Sequence, residues 1–251
     1  MILAFMSSPQ QLPILPLRAG RALVTGGTKG IGLSIAKRLL ADGYKVVSLY
    51  HRDEAAAAEA RASGIEPVRC DVTSGSEVDA LFESQSGFTV LVHAAGFTRD
   101  KLLMMMPESD FDDVIAVHLK AAFLVARRVI RHMIGERQGR IIFVISPSAL
   151  RGRPGQTNYA AAKAGLTGMA RSLAQEVGRF SITVNCISAG LVNTGLTEAI
   201  PAETKQELLA SIPLGRMGRP EEIAAAASWL CRSGANYVTG QVLGVDGGIA
   251  M

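Results

Sequence analysis

Tyr159 and Lys163 are the residues whose types and spacing first indicate chemistry. They lie in the segment NYAAAKAG, Asn158 to Gly165, with only alanines between them. Alanine is the strongest helix former, and residues four positions apart lie on the same face of a helix. The spacing therefore predicts that the phenol and the ammonium share one small volume. The pair is either a solvated surface pair or a site that handles protons.

A lysine cation beside a tyrosine can make the phenol more acidic. A free tyrosine has a pKa near ~10, and lowering it by about three pH units takes roughly 4 kcal/mol. An ammonium about 4 Å away supplies roughly that much at an effective dielectric constant near ~20. The sequence thus predicts that Lys163 lowers the pKa of Tyr159 enough for proton exchange near pH 7.

A glycine-rich stretch near the start of the chain indicates a second kind of chemistry. It reads TGGTKGIG, and its glycines Gly26, Gly30 and Gly32 stand between a predicted strand and a predicted helix. Glycines at such a turn allow the backbone to approach a pyrophosphate, and the amino end of the following helix favours an anion. The alternative is an ordinary glycine-rich turn. Its position at the first strand-to-helix connection favours dinucleotide binding.

Apolar, β-branched runs alternate with helical patterns along the chain. The predicted strands are Arg21–Thr25, Lys45–Tyr50, Glu66–Cys70, Thr89–Val92, Arg140–Ile145, Ile182–Ile187 and Gln241–Val245. The predicted helices are Gly30–Asp42, Asp53–Ser63, Gly75–Ser86, Pro107–Ile134, Gln156–Gly178 and Pro220–Ser233. The alternation predicts an α/β fold, a single Rossmann-type doubly wound domain with a seven-stranded parallel sheet flanked by helices. This domain is predicted to span residues 20–251.

Two segments depart from the alternation. Residues 1–19 contain three prolines, which oppose a helix, and are predicted to be an extended leader. A signal peptide fits poorly, since a basic start and a long apolar stretch are missing. Leu191–Leu214 contains Pro201 and Pro213 and lacks strand character. We expect it to form a mobile lid over a ligand.

Composition narrows the class of protein. The 251 residues are 48% hydrophobic and 19% charged, with a net charge of +4. Dense Lys/Arg runs are missing, so nucleic-acid binding is not expected, and no apolar stretch is long enough to span a membrane. Cys70, Cys186 and Cys231 form no CxxC pair, which favours a reducing, cytoplasmic setting. The four histidines show no metal-ligand spacing, so no metal is expected.

Three motifs together resemble the short-chain dehydrogenase/reductase family. The glycine stretch fits TGxxxGxG, Tyr159 and Lys163 fit YxxxK, and Ser146 stands thirteen residues before the tyrosine, as in the family. The resemblance covers roughly residues 20 to 251. It implies that a hydride is transferred from a nicotinamide to a carbonyl carbon, that Tyr159 donates a proton to the developing alkoxide, and that Ser146 orients the oxygen. Lys163 would also hold the nicotinamide ribose. Ser148 is a rival donor to Ser146.

The charges after the second predicted strand bear on which dinucleotide binds. The strand ends before Arg52, Lys29 lies inside the glycine stretch, and the first acid, Asp53, comes only afterwards. A carboxylate at the strand end would favour NAD, so two cations there favour NADP(H). The alternative is that both cations are solvated surface charges. The cofactor-binding residues that the resemblance implies are Gly26, Thr28, Lys29, Gly30, Ile31, Gly32, Arg52, Asp71, Val72, Ala95, Gly96, Tyr159, Lys163, Val192 and Thr194.

Two histidines depart from the family pattern. The family's NNAG reads His93-Ala94-Ala95-Gly96 here, and His118 takes the place of an asparagine whose backbone carbonyl holds a proton-relaying water in the family. His118 is therefore predicted to be catalytic, either by keeping the relay or by adding a group with a pKa near ~6.5. The alternative is a histidine that only packs in its helix. A further change, Ala189 before Gly190, is expected to loosen the lid.

Within the family, the sequence resembles the β-ketoacyl-acyl carrier protein reductases through RPGQTNYAAAKAGL, PLGRMGRPEEIA and YVTGQVLGVDGG. The resemblance implies NADPH-dependent reduction of a 3-oxoacyl chain on acyl carrier protein, with basic residues near the active site meeting the acidic carrier. The candidates for that rim are Arg128, Arg131, Arg137 and Arg179. It also implies a homo-oligomer, a dimer or tetramer. The alternatives are a dehydrogenase of a free alcohol, sugar or steroid, and a catalytically weak NADP-binding partner subunit.

Overall fold

A computed structural model describes residues 20–198 and 200–251 of the chain. The predicted leader, residues 1–19, lies outside the described residues. Seven parallel strands form one sheet in the order β3-β2-β1-β4-β5-β6-β7. The strands are β1 (Arg21–Thr25), β2 (Lys45–Tyr50), β3 (Glu66–Arg69), β4 (Phe88–His93), β5 (Gly139–Ile145), β6 (Ile182–Ala189) and β7 (Val242–Val245).

Helices cover both faces of the sheet. They are α1 (Gly30–Ala41), α2 (Glu54–Ala62), α3 (Gly75–Ser84), α4 (Glu108–Ile115), α5 (Ala121–Glu136), α6 (Ser148–Arg151), α7 (Thr157–Val177), α8 (Gly195–Glu198), α9 (Ala202–Ala210) and α10 (Pro220–Leu230). A π-helical turn, Ala116–Lys120, joins α4 to α5, and short 3-10 turns lie at Leu103–Met105, Gly178–Phe180 and Ser233–Ala235. The predicted α/β fold is therefore confirmed.

The core consists of two apolar layers, one on each face. Residues of α3, α5 and α7 pack on one side, and residues of α1, α2 and α10 pack on the other. Strands β5 and β6 are buried along their whole length, which is expected of parallel strands covered on both faces. Apolar, β-branched sequence without alternation is thus what this sheet requires.

The strand order fixes where a ligand binds. The chain passes from β3 at one edge of the sheet across to β4, which lies on the other side of β1. Ligands of open α/β sheets bind outside the carboxyl ends of the strands at such a switch point. Three of the predicted motifs follow those ends: the glycine stretch after β1, His93–Gly96 at the end of β4, and Ser146 after β5.

The predicted strands match the observed ones within two residues at each end. The single helix predicted for Pro107–Ile134 is wrong in one respect, because a π-helical turn divides it at Ala116–Lys120. The segment Leu191–Leu214, predicted only as a lid, contains α8 and α9. Among the described residues, no helix has the length and apolarity needed to cross a bilayer.

Candidate active site

A cavity of about 500 Å³ opens at the carboxyl ends of the central strands. Its walls come from α1, from the segments after β4, β5 and β6, and from α7, α8 and α9. The predicted site residues that line it are Ile31, Gly96, His118, Ser146, Tyr159, Lys163, Val192 and Thr194. The fold therefore brings the catalytic candidates and part of the cofactor set to one place.

The glycine stretch packs tightly against the segment after β4. Gly26 has φ +64°, and a side chain there would bring its Cβ within 2.8 Å of the Ala95 Cα. A Cβ at Gly32 would lie 2.2 Å from the Gly26 carbonyl oxygen. Gly30 is the first residue of α1, so the amino end of that helix lies at the carboxyl ends of the strands. This close backbone approach explains why glycine is required at these positions, and it leaves the turn free of side chains.

The remaining predicted cofactor residues follow the carboxyl ends of β1, β3 and β6. Thr28 is 5% exposed, and Val72 follows the exposed end of β3 and is itself 8% exposed. Thr194 lies over Gly30, since a Cβ on that glycine would come 3.4 Å from the threonine methyl. Asp71 accepts from the N–H and hydroxyl of Thr73, at 2.9 and 2.7 Å.

The two cations expected to select the cofactor differ in their surroundings. Lys29 forms an ion pair with Asp53, whose carboxylate also caps α2 by accepting from the Ala56 N–H at 2.9 Å. The Ala56 N–H and the Lys29 ammonium both hold the pKa of Asp53 below its ordinary value. Arg52 is exposed beside them. The nearby acid is therefore neutralised by the lysine of the glycine stretch, while the guanidinium of Arg52 faces solvent.

Tyr159 and Lys163 both lie on α7 and line the cavity, as the spacing predicts. The Lys163 side chain is buried, donates to the Val144 carbonyl at 2.7 Å, and has its Nζ 5.5 Å from the centre of the Tyr159 ring. The surface-pair alternative is excluded by this burial. The ammonium lies beside the ring face of the tyrosine rather than in a salt bridge.

The predicted lowering of the Tyr159 pKa is wrong. Burial raises the pKa of Tyr159 to about 12, although a hydrogen bond with Ser146 acts to lower it. Burial also lowers the pKa of Lys163 to about 7. Desolvation is the largest cause of both shifts, and it disfavours the charged form of each group. Near pH 7 the phenol is therefore protonated, which is the form that donates a proton, and the lysine is the group of the pair poised to titrate.

Ser146 follows β5 and lies next to Tyr159. It shares a hydrogen bond with the tyrosine, and its Oγ accepts from the Ser148 N–H at 3.3 Å. Ser148 begins the short helix α6 and also lines the cavity. The hydroxyl groups of Ser146 and Ser148 therefore both lie near the position that a substrate carbonyl oxygen would take between Ser146 and Tyr159.

His93 is buried at the end of β4, where its ring contacts Thr25 of β1 and His118 of the π-helical turn. Thr25 Oγ1 accepts from the N–H groups of Ala94 and Ala95, both at 3.2 Å, and lies 2.9 Å from His93 Nδ1. The threonine proton is thus free to go to Nδ1, which leaves the imidazole proton on Nε2, 3.0 Å from the His118 carbonyl oxygen. Burial lowers the pKa of His93 to about 3, so the ring is neutral.

His118 lies in the π-helical turn with its ring against Tyr159. The two ring centres are 5.1 Å apart and meet edge to face. Nε2 lies 2.8 Å from the Phe97 carbonyl oxygen, whereas Nδ1 is buried and has no partner among the described residues. A Cβ on Gly96 would lie 1.9 Å from this ring, so glycine makes the space for it. Burial holds the pKa of His118 well below its ordinary value, and the expected titration near neutral pH is wrong.

The proposed basic rim lies elsewhere in this chain. Arg137 precedes β5 and Arg179 precedes β6, at the amino ends of the strands, and both guanidinium groups stack on Phe180. Arg128 pairs with Asp79 at 2.6 Å. Arg128 and Arg131 lie beside residues 86–88, at the amino end of β4. The expectation that the four arginines lie near the active site is therefore wrong for a single chain, because the cavity opens at the carboxyl ends of the strands.

Gln156 and Asp100 are among the cavity residues that the sequence did not predict. Gln156 stands three positions before Tyr159, so helical spacing would have placed it close to the tyrosine. Asp100 is more than fifty positions from Gln156 in the sequence and yet accepts a hydrogen bond from it at 2.8 Å. Spacing alone gives no signal for such a contact.

Comparison with known proteins gives a consistent set of relatives. Residues 26–250 match the family profile described as Enoyl-(Acyl carrier protein) reductase. The chain is 44% identical over 239 residues to the 3-oxoacyl-[acyl-carrier-protein] reductase FabG of Chlamydia trachomatis, covering 91% of this chain and 96% of that protein. It is 42% identical over 240 residues to the reductase MabA of Mycobacterium tuberculosis (94% and 95%) and 40% identical over 240 residues to FabG of Staphylococcus aureus (92% and 98%).

Proposed function

Because the chain belongs to the short-chain dehydrogenase/reductase family, we propose that it reduces a 3-oxoacyl thioester on acyl carrier protein to the 3-hydroxyacyl product, with NADPH as the hydride donor. It is an oxidoreductase that uses a nicotinamide cofactor. The observation that carries the proposal is the meeting of Ser146, Tyr159 and Lys163 in one cavity beside the glycine turn. The names of its relatives supply the substrate class.

The glycine turn fits a dinucleotide. A Cβ at Gly26 or Gly32 would collide with backbone atoms of the turn or of Ala95, so the backbone itself forms the surface on which a pyrophosphate would lie. The amino end of α1 would hold the phosphates. Val192 and Thr194 would hold the nicotinamide end, and Asp71 and Val72 the adenine end. When bound, the nicotinamide supplies the hydride.

The side chains around the carbonyl then supply the proton. Tyr159, protonated near pH 7, donates to the alkoxide oxygen that forms. Ser146 donates a hydrogen bond to the same oxygen and so fixes the carbonyl against the tyrosine. Lys163, with a pKa of about 7, returns a proton toward the ionised phenol. A general acid of this kind contributes roughly 10²- to 10⁴-fold to the rate.

His118 is proposed to take part through its neutral ring. It packs on Tyr159 and lines the cavity, and its buried Nδ1 is an acceptor without a partner among the described residues. We assign this nitrogen to the route by which a proton reaches Lys163. The His118 carbonyl oxygen already accepts from His93 at 3.0 Å, whereas Nδ1 is buried without a partner among the described residues.

The choice of NADPH rests on Arg52 and Lys29. Arg52 is exposed, and Lys29 offsets the charge of Asp53, so a 2′-phosphate would meet net positive charge at the end of β2. The test is the ratio of kcat/KM for NADPH over NADH. Arg52→Glu should lower this ratio at least tenfold, whereas the control Arg61→Glu, on α2, should leave it unchanged. An unchanged ratio in Arg52→Glu would remove the basis for NADPH.

A homo-oligomer, dimer or tetramer, is proposed from exposed aromatic residues on the α4–α5 segment. Phe111 and Phe123 are 39% and 47% exposed, and Met104 on the preceding 3-10 turn is 90% exposed. Such apolar surface favours burial against a second copy. Sedimentation velocity should give a dimer or tetramer, and Phe123→Glu should shift it toward monomer. A wild-type monomer at micromolar concentration would contradict this.

The substrate is tested by NADPH oxidation with four compounds: acetoacetyl-carrier protein, acetoacetyl-CoA, a free ketone panel, and crotonyl-carrier protein. The proposal expects the first to give the highest kcat/KM and the last to give none, since Ser146 and Tyr159 act on an oxygen. Preference for free ketones would favour an alcohol, sugar or steroid dehydrogenase. Inactivity with all four would favour an NADP-binding partner subunit.

A further inference from the structure

Gln156 joins an acid at the mouth of the cavity to the serines beside the reaction centre. Its side chain is 5% exposed, and Nε2 donates to Asp100 Oδ2 at 2.8 Å. A carboxylate only accepts, so it holds the nitrogen end of the amide toward itself. The amide oxygen Oε1 is thereby turned the other way, toward Ser148.

The direction of the amide fixes the direction of the Ser148 hydroxyl. Ser148 Oγ lies 2.7 Å from Gln156 Oε1. Because an amide oxygen cannot donate, the hydroxyl must be the donor, and a serine has a single hydroxyl proton. Ser148 therefore has no proton left for a ligand in the cavity, and what its oxygen offers to the other side is lone pairs.

Of the two serines, Ser146 is the one that can donate its hydroxyl proton to a ligand in the cavity. Its Oγ accepts from the Ser148 N–H at 3.3 Å and lies 3.4 Å from Ser148 Oγ. The latter distance is long for a hydroxyl hydrogen bond, so this proton is weakly held and can move to a better acceptor. A carbonyl oxygen at Tyr159 would be such an acceptor.

We propose that Asp100, Gln156 and Ser148 are positioning residues, which form one hydrogen-bonded series that makes Ser148 an acceptor and holds the Ser146 Oγ beside the substrate oxygen, to which the Ser146 proton then moves. The inference rests on the proposed function and deepens it. The series begins at an exposed carboxylate and crosses a buried amide, and its donors all point toward that carboxylate, so the orientation of each group is fixed by the next. It also decides between the two candidate serines: Ser148 aligns the donor, and Ser146 is the donor.

The test compares variants that break the series with one that preserves it. Ser148→Ala and Gln156→Leu should each lower kcat about tenfold with acetoacetyl-carrier protein, while KM changes less than about threefold. Ser148→Thr keeps the hydroxyl and should retain kcat within about twofold. The variant that carries both Ser148→Ala and Gln156→Leu should be no slower than either single variant, because each single substitution already breaks the whole hydrogen-bonded series. NADPH affinity and melting temperature, measured in parallel, should stay close to wild type.

Additive losses in the double variant, or wild-type kcat in both single variants, would overturn the inference. A loss in Ser148→Thr as large as that in Ser148→Ala would also overturn it, because the hydroxyl would then not be what matters. Tyr159→Phe, assayed beside them, separates the two levels. If it is inactive while the series variants are unaffected, only the positioning role fails. If it is fully active, the proposed function fails as well.

Discussion

Lys163 and Arg140 are two cations that the fold buries near opposite ends of the same sheet. Lys163 lies on α7 beside the carboxyl ends of the strands, and Arg140 is the second residue of β5, at the amino end. The two are 4% and 3% exposed, and burial lowers the pKa of each. Neither takes part in any of the ion pairs found among the described residues.

Their surroundings differ in what they offer the charge. Arg140 donates to the carbonyl oxygens of Gly139 and Ser181, at 2.7 and 3.3 Å, and to the side-chain oxygen of Asn236. Lys163 donates to the Val144 carbonyl and borders the cavity together with Tyr159. The guanidinium thus ties chain segments together, whereas the ammonium keeps donors free toward the cavity.

Burial of a cation therefore does not by itself indicate function. A cation whose donors are used by neutral acceptors is part of the framework. A cation that borders a cavity beside a protonatable phenol, with a pKa brought to about 7, is arranged for proton transfer. The two residues should therefore respond in opposite ways to the same substitution.

The largest expected difference between the two methionine variants is in turnover. Lys163→Met should lower kcat by roughly 10²- to 10⁴-fold, because the tyrosine loses its proton source and the cofactor ribose loses a contact. Arg140→Met should keep kcat, per folded molecule, within a few-fold of wild type. Steady-state NADPH oxidation with both variants checks this. Equal losses would erase the distinction between the two cations.

The same two variants should change the free energy of unfolding in opposite directions. Arg140→Met should lower the free energy of unfolding by about 3 kcal/mol, because several buried acceptors lose their donor. Lys163→Met should raise it near pH 7 by about 1–4 kcal/mol, since the interior no longer has to hold a poorly paired charge. Urea unfolding of both variants and wild type measures the two changes. A stabilised Arg140→Met would show that its network is not structural.

The pH dependence of stability should single out Lys163. Its pKa is about 7 in the folded chain and 10.5 ordinarily, so the unfolded chain binds more protons between these values. Stability due to this group is therefore low below pH 7 and rises as the pH increases through that window. Between pH 6 and 9 the gap between Lys163→Met and wild type should shrink by roughly 3 kcal/mol. A constant gap would mean that Lys163 is not held at a lowered pKa.

The smallest expected effect concerns the neutral neighbour of Lys163. His118→Asn keeps an acceptor at the π-helical turn and should change kcat less than about fivefold, whereas His118→Leu removes the acceptor and should lower it about tenfold or more. Both should fold, since the ring packs on small residues such as Gly96. If the two variants behave alike, packing rather than proton transfer explains His118.

Much of the fold was predictable from the sequence, because parallel strands buried on both faces leave long apolar runs that alternate with helical patterns. The positions of Ser146, Tyr159 and Lys163 in one cavity followed from their motifs. The protonation states did not follow, because the pKa of Tyr159 depends on burial by distant segments. The contacts of Gln156 with Asp100 and of His93 with His118 likewise depend on packing between remote parts of the chain.

Single-turnover reduction by Tyr159→Phe asks whether a half-buried, protonated Tyr159 donates the proton to the substrate oxygen. The variant is mixed with NADPH and acetoacetyl-carrier protein, and NADPH binding is followed separately by fluorescence. We predict unchanged NADPH affinity and a rate of NADPH oxidation about a thousandfold below wild type. A rate within a few-fold of wild type would contradict the account.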